Sequence, residues 1–204
     1  MGTVKSLLLG MCFVLGACTS QTSTVQTTEK GTQWEWQNGT IVVKTPERPA
    51  GQKSVLGLTT PKLEAVRVGF VGLGMRGPGA VERFTYIPGT QVVALCDYEE
   101  ARADKCQELL KKASMPKAAV YSGDKGYEEL CKRDDIDLVY VAADWLHHFP
   151  VAKCALENGK NVAIEVPSAM NLQECWDLIN LSESTRKHCF ILESECHDWF
   201  EMNT

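Results

Sequence analysis

Val66-Arg67-Val68-Gly69-Phe70-Val71-Gly72-Leu73-Gly74-Met75-Arg76-Gly77 decides the reading of this chain. The first six residues have the apolar run of a short buried strand, and the next six spell G-x-G-x-x-G ahead of a helical stretch. Each glycine answers a physical need: Gly72 the tight turn, Gly74 the approach of backbone N–H groups to a pyrophosphate, Gly77 the closeness of helix to strand. The helix N-terminus adds a field that favours the anion. Asp97 ends the next strand about 20 residues after Gly77, where this fingerprint places an acid for the adenosine ribose hydroxyls. A carboxylate there repels a 2′-phosphate, so NAD is favoured over NADP, with Arg76 the one feature that softens the choice. Asp97 also suits a cap for the helix opening at Glu99-Glu100-Ala101.

Outward from this motif, apolar runs at 66–71, 91–96, 119–121, 138–142, 161–164 and 189–192 alternate with amphipathic stretches. Runs this short, rich in Val and Ile on both faces, predict buried parallel strands. Leu172, Cys175, Trp176 and Ile179 recur at helical spacing, with Asn171 and Glu174 as a capping-box-like start. Ala101, Cys106, Leu109 and Leu110 repeat the pattern earlier, and Gly159 is a natural stop after a helix over 150–158. Six strands with crossover helices define an α/β fold, a Rossmann doubly wound parallel sheet.

The 204 residues carry 26 acidic and 21 basic side chains, a formal charge of −5, and 44% are hydrophobic. No cationic surplus exists for a phosphate backbone, so nucleic acid is not an expected partner. Residues 1–17 read as a lipoprotein signal peptide: Lys5, an apolar stretch from Leu7 to Leu15, then Leu15-Gly16-Ala17-Cys18, which looks like a bacterial lipobox. That predicts export, cleavage before Cys18 and a lipid anchor to the membrane of the cell envelope; an ordinary signal peptide followed by a chance cysteine is the other reading. Residues 18–60, rich in Thr, Gln, Ser and Gly, read as a tether or N-terminal arm, with order suggested only around Trp34, Trp36 and Ile41-Val42-Val43. Residues 61–204 form the nucleotide-binding domain. Seven cysteines remain beyond Cys18, none at C-x-x-C spacing and most on apolar faces, which argues against a disulfide framework or a zinc site.

Val68 to Gly74, Trp145-Leu146-His147-His148 after the fourth strand, and Gly159-Lys160-Asn161-Val162 leading to Glu165-Val166-Pro167 resemble the glucose-fructose oxidoreductase and inositol dehydrogenase superfamily. The Trp-x-x-His element, Glu-Val-Pro in place of Glu-Lys-Pro, and the lipoprotein leader are most similar to glycoside hydrolase family 109. The resemblance implies a tightly held NAD and hydrolysis of α-N-acetylgalactosaminides or related small-molecule glycosides. It places Gly72, Gly74, Met75, Arg76, Gly77, Asp97, Trp145, Leu146, His147, His148, Glu165, Val166 and Ser194 around the cofactor. Oligomeric state is left open. In dehydrogenase relatives the lysine of Glu-Lys-Pro exchanges a proton with the oxidised hydroxyl, and Val166 has no group for that task. The glycosidases instead oxidise C3 transiently, eliminate the glycoside, add water and return the hydride, outside the usual two-carboxylate scheme. Adjacent His147 and His148 lack partners at metal-ligand spacing, so no metal is expected; a helix-capping role is the competing one for them.

After the sixth strand, Glu193-Ser194-Glu195-Cys196-His197-Asp198 stands where the family has Glu-Asn-x-x-Tyr. Ser194 replaces an amide implied to touch the cofactor and His197 a tyrosine. His148 and His197 are therefore weak catalytic candidates, His197 because histidine exchanges protons near neutral pH. The second α/β domain of the family, which forms much of the sugar pocket, has no counterpart here, so the chain reads as an N-terminal fragment. Three functions compete: NAD-dependent glycosidase, NAD-dependent sugar oxidoreductase, and a dinucleotide-binding module without catalysis.

Overall fold

The computed structural model describes residues 26–27 and 33–203. Cys18 and the leader 1–17 lie outside the described residues, and no described helix is long and apolar enough to cross a membrane. The chain divides into two compact units, Met1–Lys44 and Thr45–Thr204. In the first, β1 (Gln26–Thr27), β2 (Gln33–Gln37) and β3 (Thr40–Val43) make an antiparallel sheet, with Trp34 opposite Val43 and Trp36 opposite Ile41. Asn38 and Gly39, both at positive φ, turn β2 into β3, the Asn-Gly signal of a tight hairpin.

The second unit carries β4 (Val66–Val71), α1 (Gly77–Phe84), β5 (Thr90–Asp97), α2 (Glu100–Lys112), β6 (Ala119–Ser122), α3 (Gly126–Cys131), β7 (Leu138–Val141), α4 (Trp145–Glu157), β8 (Asn161–Ile164), α5 (Leu172–Thr185), β9 (Cys189–Ile191) and the short α6 (Trp199–Met202). Six parallel strands lie in the order β6-β5-β4-β7-β8-β9. That is the doubly wound order, with its switch point between β4 and β7, where the chain leaves the sheet in opposite directions and opens a crevice at the strand C-termini.

Alternation along β4 feeds two cores. Val68 and Phe70 face α1 and α2, packing with Val81, Leu95, Cys106 and Leu110. Val71 faces the other way, with Val139, Val141, Val151, Leu156 and Ile164 under α3, α4 and α5. Phe70 stacks on Tyr140 at 5.1 Å between ring centroids, and Phe84 meets both edge-on. Below the sheet the Arg67 guanidinium holds Asp137 through Nε at 2.9 Å and Nη2 at 2.7 Å, and the Arg67 N–H donates to the same carboxylate at 2.8 Å. These bonds draw the Asp137 carboxyl below its ordinary value even though burial works against them.

Three local readings change. The helix expected over 150–158 begins at Trp145, with Pro150 inside it, because Asp144 caps the new end by accepting from the Leu146 N–H at 3.0 Å. Ala101 is exposed, and Ala103 takes the buried position beside Cys106 and Leu110. Residues 45–60, assigned from sequence to the arm, group with the sheet unit. There Arg48 donates to both oxygens of the buried Glu183 at 2.8 and 3.0 Å, Gln52 reaches Asn180 and Glu183, and Arg186 donates to the carbonyls of Lys53 and Ser54. The α5 start follows its capping pattern: Asn171 Oδ1 accepts from the Glu174 N–H at 3.1 Å, while Glu174 accepts from the Met170 N–H.

Candidate functional site: a cleft at the switch point

A cleft of about 550 Å³ opens at the C-terminal ends of β4 and β7, within the ordinary range for small-molecule sites. The glycines of the β4–α1 loop make it, each for a different reason. Gly72 sits at φ +91°, and a Cβ on it would come within 2.3 Å of the Ala143 nitrogen, in the loop after β7. This glycine therefore lets two loops meet across the switch point as well as permitting the turn. A Cβ on Gly77 would strike the Gly72 carbonyl oxygen at 2.1 Å, so α1 starts directly against the loop it follows. Gly74 is different: its Cβ would find only the Arg102 guanidinium, at 3.6 Å. The space beside Gly74 is open, and it lies on the cleft wall with Met75 and Arg76. A pyrophosphate fits such a bare backbone at a helix N-terminus.

Asp97 lies on the same wall and is only 6% exposed. Its Oδ2 accepts from the Leu73 N–H at 2.6 Å, tying the glycine loop to the end of β5, and its Oδ1 accepts from the Glu99 N–H at 3.0 Å. This carboxylate thus braces the turn leading into α2, whose cap position is Glu99, and also lines the cleft. Behind the wall, burial pushes the Cys96 thiol up to about 12 and Cys106 to about 11, in each case with help from the Asp97 charge. Those thiols stay protonated and inert at neutral pH. Among the described residues all seven cysteines from Cys96 onward are free, and no group of three metal-ligating side chains is present.

The opposite wall belongs to the first turn of α4 and the loop after β8. Trp145 and His147 line the cleft, whereas Leu146 points into solvent. His147 Nδ1 is 2.6 Å from Asp144 Oδ2, and its Nε2 lies 3.6 Å from Asp124 in the loop after β6. Burial works against the Asp144 carboxylate, but the hydrogen bond and charge of His147 outweigh it and hold that carboxyl below its ordinary value. His148 is 1% exposed. Its Nδ1 is 2.7 Å from the Pro167 carbonyl oxygen and its Nε2 is 2.9 Å from that of Ala143. Both ring nitrogens are engaged with backbone, so this ring joins α4 to the 165–167 loop.

Glu165 and Val166 complete that wall. Glu165 accepts from the Tyr140 hydroxyl at 2.7 Å, and burial, reinforced by Glu165, pushes the Tyr140 phenol up to about 12. Of the remaining expected residues, Gly72 and His148 also line the cleft, whereas Gly77 and Leu146 do not. Ser194, exposed, precedes the short turn Glu195–His197 and is not part of the lining, and the His197 side chain lies outside the described residues. Several lining residues had no part in the sequence reading, among them Tyr98, Arg102, Asp124, Tyr127 and Asp144. Their only available signal was position, since each follows a strand C-terminus at the edge where such sheets bind ligands.

Residues 66–192 match the oxidoreductase family with an NAD-binding Rossmann fold. The chain is 79% identical over 205 residues to glycosyl hydrolase family 109 protein 4 of Phocaeicola vulgatus, covering 100% of this chain and 40% of that protein. It is 55% identical over 202 residues to glycosyl hydrolase family 109 protein 1 of Bacteroides thetaiotaomicron, covering 98% of this chain and 42% of that protein. The chain therefore spans about two fifths of the length of these relatives. Among solved structures, biliverdin reductase from Synechocystis in complex with biliverdin and NADP+ aligns at TM-score 0.56 and 26% identity, over 65% of this chain and 39% of that one. The myo-inositol dehydrogenase of Lactobacillus casei, in complex with NAD(H) and myo-inositol, aligns at TM-score 0.58 and 24% identity, over 66% of this chain and 38% of that one, a likeness of fold. With its strand order, its glycine cradle and this match in hand, the chain belongs to the NAD-binding Rossmann oxidoreductase family of glucose-fructose oxidoreductase and inositol dehydrogenase, with glycosyl hydrolase family 109 proteins as close relatives.

Proposed function

We propose that a protein carrying this chain hydrolyses α-N-acetylgalactosaminides or related glycosides by a redox-neutral cycle, the chain supplying the cofactor half of the site. The cofactor fits the residues present: the open space at Gly74 admits the pyrophosphate, the Asp97 edge the ribose, and the wall of Trp145, His147, Glu165 and Val166 the nicotinamide end. Bound there, the nicotinamide supplies a hydride acceptor and, later in the same turnover, a hydride donor.

The observation that carries this reading over net dehydrogenation is Val166. It lines the cleft, 41% exposed, beside Glu165, at the position where dehydrogenase relatives have a lysine, and it has no proton to exchange. The protein's own groups hold the site: Tyr140 fixes Glu165 from beneath, and His148 fixes the loop that presents both residues. The names of the family 109 relatives support glycoside hydrolysis.

The test uses a full-length protein with these residues as its N-terminal part. Release of p-nitrophenol from its α-N-acetylgalactosaminide without growth of absorbance at 340 nm is the expected result. Steady NADH formation from free sugar and NAD, without glycoside cleavage, would replace the proposal with a sugar oxidoreductase.

A further inference from the structure

At the adenosine end of the cleft the charges add up differently from what Asp97 alone supplies. Both oxygens of Asp97 already accept backbone N–H groups, from Leu73 and Glu99. The lone pairs left over suit ribose hydroxyls, which donate; a 2′-phosphate only accepts and is repelled. Beside Asp97, however, stands a cation of the type that reverses this choice. Arg102 lines the same wall, and its Nη1 is 3.6 Å from where a Cβ on Gly74 would sit. A guanidinium there has the fork geometry that recognises phosphate.

In this chain that fork is occupied. Nη2 of Arg102 donates to Glu99 Oε1 at 2.9 Å, and Nη1 donates to Asp97 Oδ1 at 3.4 Å. Glu99 is exposed and does not line the cleft, so it acts through Arg102. Two carboxylates around one guanidinium leave this corner net negative. Arg76, across the glycine loop, makes no ion pair among the described residues, but it sits at the start of α1, on the pyrophosphate side.

We infer that Arg102 is a cofactor-specificity residue held in its NAD setting by Glu99: the Glu99–Arg102 pair keeps the guanidinium from turning onto a 2′-phosphate. This rests on the reading of the cleft as a dinucleotide site and deepens it, because the choice of cofactor passes from the buried Asp97 to an exposed pair. Release of Arg102 converts a repelling corner into a binding one without altering the strut that Asp97 provides.

Calorimetric titration of the full chain with NAD+ and NADP+ tests this, with Glu99→Gln, Arg102→Ala and the double variant. Glu99→Gln should tighten NADP+ by about tenfold, the worth of one charge-assisted contact, and leave NAD+ within about twofold. The double variant should return NADP+ to the wild-type affinity, and Arg102→Ala alone should change it little. An equal change for both cofactors, an unchanged NADP+ affinity in Glu99→Gln, or a gain that survives loss of Arg102 would each overturn the inference. Wild-type protein that binds neither cofactor would overturn the dinucleotide reading itself, an outcome distinct from NAD+ binding with no selective response.

Discussion

The glycine-loop wall and the β9 edge of the same sheet differ in how completely their atoms are spoken for. Along β4 and β5, side chains are buried on both faces, and Asp97 ties loop to strand. At the edge, Phe190 and Ile191 of β9 are about half exposed, and Trp199, Phe200 and Met202 around α6 more than half. The first region is closed except beside Gly74, where it borders the cleft, and the second has spare surface. Rigidity therefore belongs where a phosphate must meet fixed backbone dipoles, since preorganised donors need no reordering when the ligand arrives.

Substitution should expose the contrast most strongly at Gly72. Any side chain there requires a positive φ and a collision with the backbone of Ala142 and Ala143. Gly72→Ala should cost about 3 kcal/mol or more in denaturant unfolding; a loss below about 1 kcal/mol would mean the two loops part easily. Next comes the foot of β4. Asp137→Asn removes the charge held by Arg67 and should cost about 1 to 2 kcal/mol at pH 7, the pair being partly exposed. The Asp137 carboxyl is depressed in the folded state, so its contribution is present above the unfolded value near pH 4 and is lost as pH falls through the folded value. The gap between wild type and variant should accordingly narrow below about pH 4, and a gap that does not change with pH would remove Asp137 as its source. Smallest of all, Phe190→Ser or Trp199→Ser should shift stability by about 0.5 kcal/mol or less. A loss of several kcal/mol would show that the edge is packed as tightly as the loop wall.

Much of this division was legible before any coordinates. The glycine motif and six apolar runs are local signals, and they predicted strand positions to within a residue at each end, as well as the doubly wound fold. Pro150 misled because proline ordinarily opens or ends a helix, while the true start depended on Asp144, a capping residue just outside the Trp145–His148 element. The docking of residues 45–60 had no local signature at all, since Arg48 and Glu183 are 135 positions apart. In the site, residues lying directly on the motifs fell on the cleft walls: Gly74, Asp97, Trp145 and Glu165. What sequence could not convey was engagement. Nothing in a linear string says that both nitrogens of His148 meet carbonyl oxygens, that Tyr140 supports Glu165, or that Arg102 is held by Glu99.

Gly74 offers the most direct measurement, because it alone among the three motif glycines has room for a side chain and yet borders the space assigned to the pyrophosphate. NAD+ affinity and thermal stability of Gly74→Val should be measured beside the wild type. The account predicts an unchanged melting temperature and a loss of NAD+ affinity of about a hundredfold or more, since two γ-methyl groups would fill the phosphate cradle and displace its hydrogen bonds. NAD+ binding as tight as wild type in a folded Gly74→Val protein would contradict the placement of the cofactor in this cleft.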